Sequence, residues 1–280
     1  MSEKMKNYTN APLPFMGQKR RFLKTLKDVL QDYPQDAIYV DLFGGSGLLS
    51  HTVKQYLPLS KVVYNDFDNY NERLQNIANT NKILADLRLI LAGWPKDKQI
   101  TGEAKEQVIQ RIKQAEMAGF VDYITLSSSL LFSMNYVTNF ADFKASTLYN
   151  VVRVSDYSSD GYLDGLERVS VDYLTLYNQY KNEPNVVFMV DPPYLSTEAG
   201  TYKSYWKLKD YLDVLQVLDS HPYVYFTSNK SNIIELCEWI ELKTPNSNPF
   251  KGACKKSVNV TMNYNSTYTD IMYYKYSSTT

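Results

Sequence analysis

The stretch NVVFMVDPPYLST (185–197) brings a carboxylate, two prolines and an aromatic ring together at the end of an apolar run. Five consecutive apolar residues (186–190) predict a strand buried on both faces. Pro192 and Pro193 cannot donate to a sheet ladder, so they end it. Asp191 and Tyr194 therefore leave a buried strand on a backbone with little freedom. A second stretch with chemical potential is VDLFGGSG (40–47), which puts glycines where a strand turns into a helix. Glycine lets a backbone approach a ligand closely. In an open α/β sheet the ligand sits at the carboxyl ends of the strands, beside the reversal of strand order. Asp66 follows Gly47 by nineteen positions and ends the next strand. An acid there suits a ribose diol, or the capping of a helix that begins near Asn69. The glycines do not spell G-x-G-x-x-G, and no pyrophosphate cradle with a basic residue follows. Nicotinamide dinucleotides and ATP fit that pattern poorly. A nucleoside without phosphates fits better, and S-adenosylmethionine is one.

The elements that must position these residues alternate. AIYVDLF (37–43) predicts a strand, LLSHTVKQYL (48–57) a helix, KVVYND (61–66) a strand and NERLQNIANTNKIL (71–84) a helix. From residue 69 to 182 the pattern changes. Residues 103–118 carry Val108, Ile109, Ile112 and Ala115 on one helical face, residues 123–136 predict a second, more apolar helix, and a polar irregular stretch follows. The alternation then resumes, with strands at 186–191 and 223–228 and helices at 208–218 and 233–240. SVNVTMN (257–263) and TDIMYYKY (269–276), joined by a short polar turn, predict a terminal β-hairpin. The expected division is a sheet domain of residues 1–68 and 183–280, with 69–182 as a mainly helical insertion.

Composition narrows the partners. The 280 residues are enough for one large domain or two modest ones. No apolar run approaches the roughly 20 residues of a membrane helix, and the first ten residues lack a secretory signal's apolar core. Two cysteines, Cys237 and Cys254, and two histidines argue against a structural zinc site and a disulfide framework, which points to no metal and to a reducing cytoplasm. Lys plus Arg and Asp plus Glu number 30 each, so a polyanion-binding surface would have to come from local clusters. Most of the 25 tyrosines are read as half-buried sheet residues rather than base-stacking ones.

PFMGQK (14–19), VDLFGGSG, YND ending at Asp66, and DPPY (191–194) occur in that order, followed by YKSYW (202–206), SN (228–229) and TDIMYY (269–274). In this arrangement the chain resembles the Dam-type (D12 class, alpha-group) DNA N6-adenine methyltransferases, closest to the phage members. The resemblance spans almost the whole chain and is faint only in the insertion. It implies an α/β fold: a Rossmann-like class I S-adenosylmethionine-dependent methyltransferase sheet with a terminal β-hairpin and an inserted target-recognition domain. It implies S-adenosylmethionine as cofactor and double-stranded DNA as partner, in a bacterial or phage-encoded protein acting as a monomer or weak dimer, alone or within restriction-modification. Phe15 and Lys19 would contact the cofactor, with Lys19 near its methionine carboxylate. Asp41, Phe43, Gly44 and Gly45 would wall the pocket, Asp66 would hold the ribose hydroxyls, and Asp191 would lie between cofactor and target. Read without the resemblance, Lys19 is a solvated charge in a basic run.

The D-P-P-Y residues suit attack by an adenine amino group, whose lone pair is delocalised into the ring. Asp191 and the carbonyl of Pro192 or Pro193 would accept its two hydrogens, turning the lone pair toward the methyl group. The fixed φ of proline keeps that carbonyl in place, and the carboxylate stabilises positive charge growing on nitrogen. Tyr194 would stack on a base flipped out of the duplex. Recognition is expected in the insertion, near residues 132–146 and 148–154. Val137 and Thr138 stand where related phage members carry an arginine, the usual guanine reader. Asn135, Asn139, Lys144 and Arg153 are candidate DNA contacts, or solvated loop residues. Lys203, Lys207, Lys209, Lys251, Lys255 and Lys256 are candidates for phosphate contacts. Gln18 replaces the commoner glycine of Gly-Gly-Lys, with the lysine retained. The alternatives are an RNA or other amino-group methyltransferase, and an idle DNA-binding protein that kept the fold.

Overall fold

Among the described residues the chain forms seven strands, most of them rich in β-branched and aromatic residues: β1 (Ile38–Asp41), β2 (Lys61–Asn65), β3 (Glu167–Val169), β4 (Val186–Val190), β5 (Tyr223–Ser228), β6 (Cys254–Asn263) and β7 (Ser266–Lys275). The structure is a computed structural model and describes residues 6–132, 135–195, 206–219, 221–263 and 266–276. The strands join in one sheet in the order β3-β2-β1-β4-β5-β7-β6. Neighbouring strands among β1 to β5 pair in parallel, and β7 runs antiparallel to both β5 and β6. This is the expected Rossmann-like sheet with its terminal hairpin. Every residue of β4 and β5 is buried, as in parallel strands covered on both faces. β6 forms an edge and exposes Lys255 and Lys256, which discourages further strand pairing. The chain leaves β1 for β2 and β3 on one side, then returns to β4 and β5 on the other. Strand order therefore reverses between β1 and β4.

The helices are α1 (Leu23–Leu30), α2 (Leu48–Tyr56), α3 (Tyr70–Gln75), α4 (Ile77–Ile90), α5 (Gly102–Ala118), α6 (Tyr123–Leu130), α7 (Phe140–Ala145), α8 (Tyr173–Tyr180), α9 (Leu208–Leu218) and α10 (Ile233–Glu241). The chain divides into two compact units. One comprises Met1–Thr9, Lys19–Asp68 and Leu163–Thr280, and the other Asn10–Gln18 and Asn69–Tyr162. The first holds the sheet with α1, α2 and α8 to α10. Its core gathers Val40, Val63, Phe188, Val190, Val214 and Tyr225. The second holds α3 to α7 around Leu84, Leu87, Val108, Ile112, Leu126 and Phe143.

Two boundaries differ from those expected. Residues 163–182, expected in the insertion, belong with the sheet: β3 pairs with β2, and Leu176 and Tyr180 of α8 join the sheet core. β3 is three residues long and reads Glu-Arg-Val, and at an edge it needs no apolar run. Residues 10–18 belong with the helical unit. The Leu13 amide donates to the Tyr70 hydroxyl at 2.9 Å, and the Arg73 guanidinium donates to the Pro14 carbonyl at 2.8 Å. Two helices are also shorter than their patterns. The helix expected from residue 71 to 84 breaks at Asn76, whose side-chain amide donates back to the Glu72 carbonyl. The helix expected to reach residue 136 stops at Leu130. In α6 the Ser127 hydroxyl donates to the Tyr123 carbonyl and the Ser128 hydroxyl to the Thr125 carbonyl, bonds that compete with the helix ladder. The hairpin turn at 264–265 lies outside the described residues.

Candidate active site at the carboxyl ends of β1 and β4

Adjacent strands deliver two acids to the reversal point. Asp41 is the last residue of β1, and Asp191 immediately follows β4. Asp191 Oδ2 lies 2.8 Å from Lys19 Nζ, with the two side chains only 17% and 7% exposed. Burial raises the Asp191 carboxyl above the usual range, and the Lys19 ammonium opposes that rise. Lys19 also stands 5.3 Å from the centre of the Tyr194 ring, within cation–π range. Lys19 was expected beside a cofactor carboxylate. The ion pair with Asp191 places its ammonium at the reversal point.

Tyr194 is held at both ends. Its hydroxyl donates to Asp270 Oδ1 of β7 at 2.9 Å, and its carbonyl accepts the Tyr211 hydroxyl of α9 at 3.0 Å. One residue on, the Leu195 carbonyl accepts the Asn232 amide at 3.2 Å. Burial, with the nearby Asp191 and Asp270 charges, drives the phenol upward, so it stays a neutral donor. Residues 196–205 of the following segment, including Lys203 and most of YKSYW, lie outside the described residues.

The Gly-rich turn leads into α2. Gly45 and Gly47 take φ of 48° and 74°, and the Gly47 amide closes a turn onto the Gly44 carbonyl at 2.7 Å. This brings Ser50, in the first turn of α2, back onto Asp41, whose Oδ2 accepts the Ser50 hydroxyl at 2.6 Å. Among the described residues, Asp41 Oδ1 is buried with no hydrogen-bond partner. Burial pushes this carboxyl up to about 7, the Asp191 charge adds to the rise, and the Ser50 bond opposes it. Gly44 has a packing reason that was not foreseen. A Cβ there would lie 2.4 Å from the Tyr64 ring and 2.8 Å from the Asn65 carbonyl oxygen. The Tyr64 hydroxyl lies 2.8 Å from the Gly45 carbonyl and 3.1 Å from Asp66 Oδ1, and its single proton serves one of them at a time. Asp66 is 1% exposed, with Arg168 Nη1 3.6 Å from its Oδ2. Phe43 packs against Tyr173 at 4.9 Å and Trp206 at 5.7 Å between ring centres.

A family model described as D12 class N6 adenine-specific DNA methyltransferase matches residues 15–220, well over half of the chain. The chain belongs to that family. A Haemophilus influenzae protein carrying the description "Putative methyltransferase" is 39% identical over 280 residues, covering 97% of this chain and 94% of that protein. A crystal structure described as a "putative methylase" from the same organism matches at 12% identity, covers 94% of this chain and 90% of its own, and has a TM-score of 0.35. Among the described residues, no helix is long and apolar enough to cross a membrane, and no group of three or more His, Cys, Asp or Glu could hold a metal ion.

The sheet unit of this family member thus gathers Lys19, Asp41, Phe43, Gly44, Gly45, Asp66, Asp191 and Tyr194. Phe15 lies in the helical unit, its ring edge-on to Tyr70 at 5.7 Å. The DNA candidates Asn135, Asn139, Lys144 and Arg153 also lie in that unit. Asn135 and Lys144 are exposed. Asn139 caps α7, accepting the Asp142 amide at 2.9 Å. Arg153 stacks on Tyr157 at 4.0 Å and donates to Ser155. The Val137 amide donates to Ser127 Oγ and its side chain packs on the helical core, so a side chain there faces inward. Residues 133–134 lie outside the described residues. Of the lysines considered for phosphate contact, Lys209 pairs with Asp213 and Lys251 with Glu241, and Lys207, Lys255 and Lys256 are exposed.

Sequence reasoning gave no role to Ser50 or Tyr211, nor to Tyr64 and Asn65 within the YND stretch. Asn65 bridges the sheet: its side-chain amide donates to the Leu42 and Val171 carbonyls, and its Oδ1 accepts the Val171 amide. Its polar side chain beside Asp66, at the end of an otherwise apolar strand, was the available signal.

Proposed function

We propose that this family member transfers a methyl group from S-adenosylmethionine to the N6 amino group of an adenine flipped out of duplex DNA. The observation that carries the reading is the Asp191 carboxylate, delivered by a fully buried strand to the reversal point and held there by Lys19 beside the Tyr194 ring. Lys19 favours the ionised form of Asp191 against burial. It occupies Oδ2, and a carboxylate retains further acceptor sites for an amino hydrogen. Positive charge growing on the attacking nitrogen would be met by that largely buried anion. The carbonyl of Pro192 or Pro193 is the proposed second acceptor. Tyr194 offers a ring face, and base–aromatic stacking of about 1–3 kcal/mol offsets much of the cost of flipping.

The residues at β1 and β2 suit the cofactor. Bound there, S-adenosylmethionine would supply the activated methyl group. The open, buried Asp41 Oδ1 is an acceptor that a ligand ammonium or hydroxyl would satisfy. Phe43, Gly44 and Gly45 are proposed as the wall and Asp66 as the ribose acceptor. Phe15 is assigned to the cofactor on the resemblance alone. Asn135, Asn139, Lys144 and Arg153 remain proposals for the DNA side. A DNA-modifying member of this family would work in the cytoplasm, where its substrate is.

The test is labelled-methyl transfer to unmethylated duplex DNA, followed by nucleoside analysis. Label in N6-methyladenine of DNA is expected, and it should vanish in Asp191→Asn with cofactor binding retained. Label found only in RNA would move the substrate to the alternative reading. Cofactor binding without transfer to any nucleic acid would support the idle-protein reading.

A further inference from the structure

The terminal hairpin contributes a side chain to the D-P-P-Y tyrosine. Asp270 of β7 sits in register with Ser228, the last residue of β5, and with Val258 of β6, so its backbone is paired on both sides. Its neighbour Thr269 is clamped by the residue that follows β5. The Asn229 amide donates to the Thr269 carbonyl at 2.9 Å, and the Thr269 amide donates to Asn229 Oδ1 at 2.8 Å. The Asp270 carboxylate then accepts the Tyr194 hydroxyl at 2.9 Å.

A tyrosine ring has two side-chain torsions, and its hydroxyl is the atom farthest from the backbone. A bond at that atom fixes the direction of the ring's long axis more firmly than any contact nearer Cβ, and it biases the ring plane through the preference of the phenol O–H to lie in that plane. The Tyr211 hydroxyl donates to the Tyr194 carbonyl, a bond that fixes the backbone and does not orient the ring. We propose that Asp270 is a positioning residue: through the Tyr194 hydroxyl it sets the orientation of the ring on which the target base stacks. The proposal rests on the adenine reading above and deepens it. The SN and TDIMYY stretches acquire one physical task, because Asn229 fixes Thr269, Thr269 carries Asp270, and Asp270 aims Tyr194. A strand held by ladders on both sides is a rigid base for that task.

The test is a double-mutant cycle on Tyr194→Phe and Asp270→Ala, read as kcat for methyl transfer to unmethylated duplex DNA at saturating cofactor. Each single variant should lose about tenfold in kcat, the scale of one hydrogen bond to a charged group. Cofactor affinity should stay near wild type, and both variants should remain folded at the assay temperature. The double variant should be no slower than the slower single, whereas independent effects would multiply to about a hundredfold. Asp270→Asn keeps an acceptor at the same reach and should restore most of the rate lost in Asp270→Ala. If Asp270→Ala does not fold, Asp270→Ser, polar but too short to reach, takes its place. Multiplying losses, an unchanged rate in Asp270→Ala, or a loss confined to cofactor affinity would overturn the proposal. A wild-type protein that transfers no methyl group refutes the adenine reading and this inference together, whereas transfer with multiplying losses refutes the inference alone.

Discussion

Replacing Lys19 with methionine tests the electrostatics of the site independently of any substrate. The change keeps most of the side-chain volume and removes the charge facing Asp191. At 2.8 Å and an effective dielectric of about 20, the two charges attract by about 6 kcal/mol. The full amount cannot appear as lost stability, because Asp191 escapes an unpaired charge by taking up a proton. Protonating an ordinary carboxyl of pKa about 3.9 at about pH 7 costs about 4 kcal/mol, which caps the loss. Removing Lys19 also removes the cost of burying its own ammonium, so the expected loss is about 3 kcal/mol at neutral pH. The sign with pH follows from linkage. In Lys19→Met the folded-state pKa of Asp191 stands further above its unfolded value, so the folded state binds the extra proton. The variant is then most stable below about pH 4 and loses stability as pH rises toward 7. Urea unfolding of wild type and variant across that range reads the deficit, which should grow from near zero. Lys19→Met combined with Asp191→Asn removes both charges and should recover stability to within about 1 kcal/mol of wild type. A deficit that does not change with pH, or a double variant no better than the single, would refute the reasoning.

Two further outcomes follow from the glycine turn. Gly44→Ala should cost about 3 kcal/mol in urea unfolding, because its Cβ would meet the Tyr64 ring at 2.4 Å and a backbone oxygen at 2.8 Å. A loss below about 1 kcal/mol would show that the turn has room. Asp41, raised from 3.8 to about 7 by burial, holds a proton in the folded state that the unfolded chain releases. Wild-type stability should therefore fall between about pH 4 and pH 7, by on the order of 4 kcal/mol from this group. Asp41→Asn should flatten that slope and gain on wild type at about pH 8 relative to about pH 5, and an equal difference at both pH values would contradict the assignment.

Much of the sheet was legible because parallel strands covered on both faces must be apolar throughout. Val186–Val190 and Tyr223–Ser228 announce themselves without knowledge of their neighbours. The chemistry-bearing residues were legible for a related reason. Asp191 and Asp66 stand where apolar strands end, and such ends collect at one edge of the sheet. The edge strand β3 was hidden, since three residues with one apolar side chain carry no period. So were the helix breaks at Asn76 and Leu130, which turn on side-chain bonds to the backbone.

By itself the sequence determined the order of the buried strands, the family and the acids that leave those strands, because they depend on residue type and local pattern. The tertiary structure decided which groups face those acids. Lys19 lies 172 positions before Asp191, and Asp270 lies 76 positions after Tyr194, yet each pair is in direct contact. It also supplied the packing reason for Gly44, whose neighbour is a ring on the next strand. Contacts between residues so far apart depend on strand order and register. Those are set when the whole sheet closes around its core, and no local window of sequence contains them.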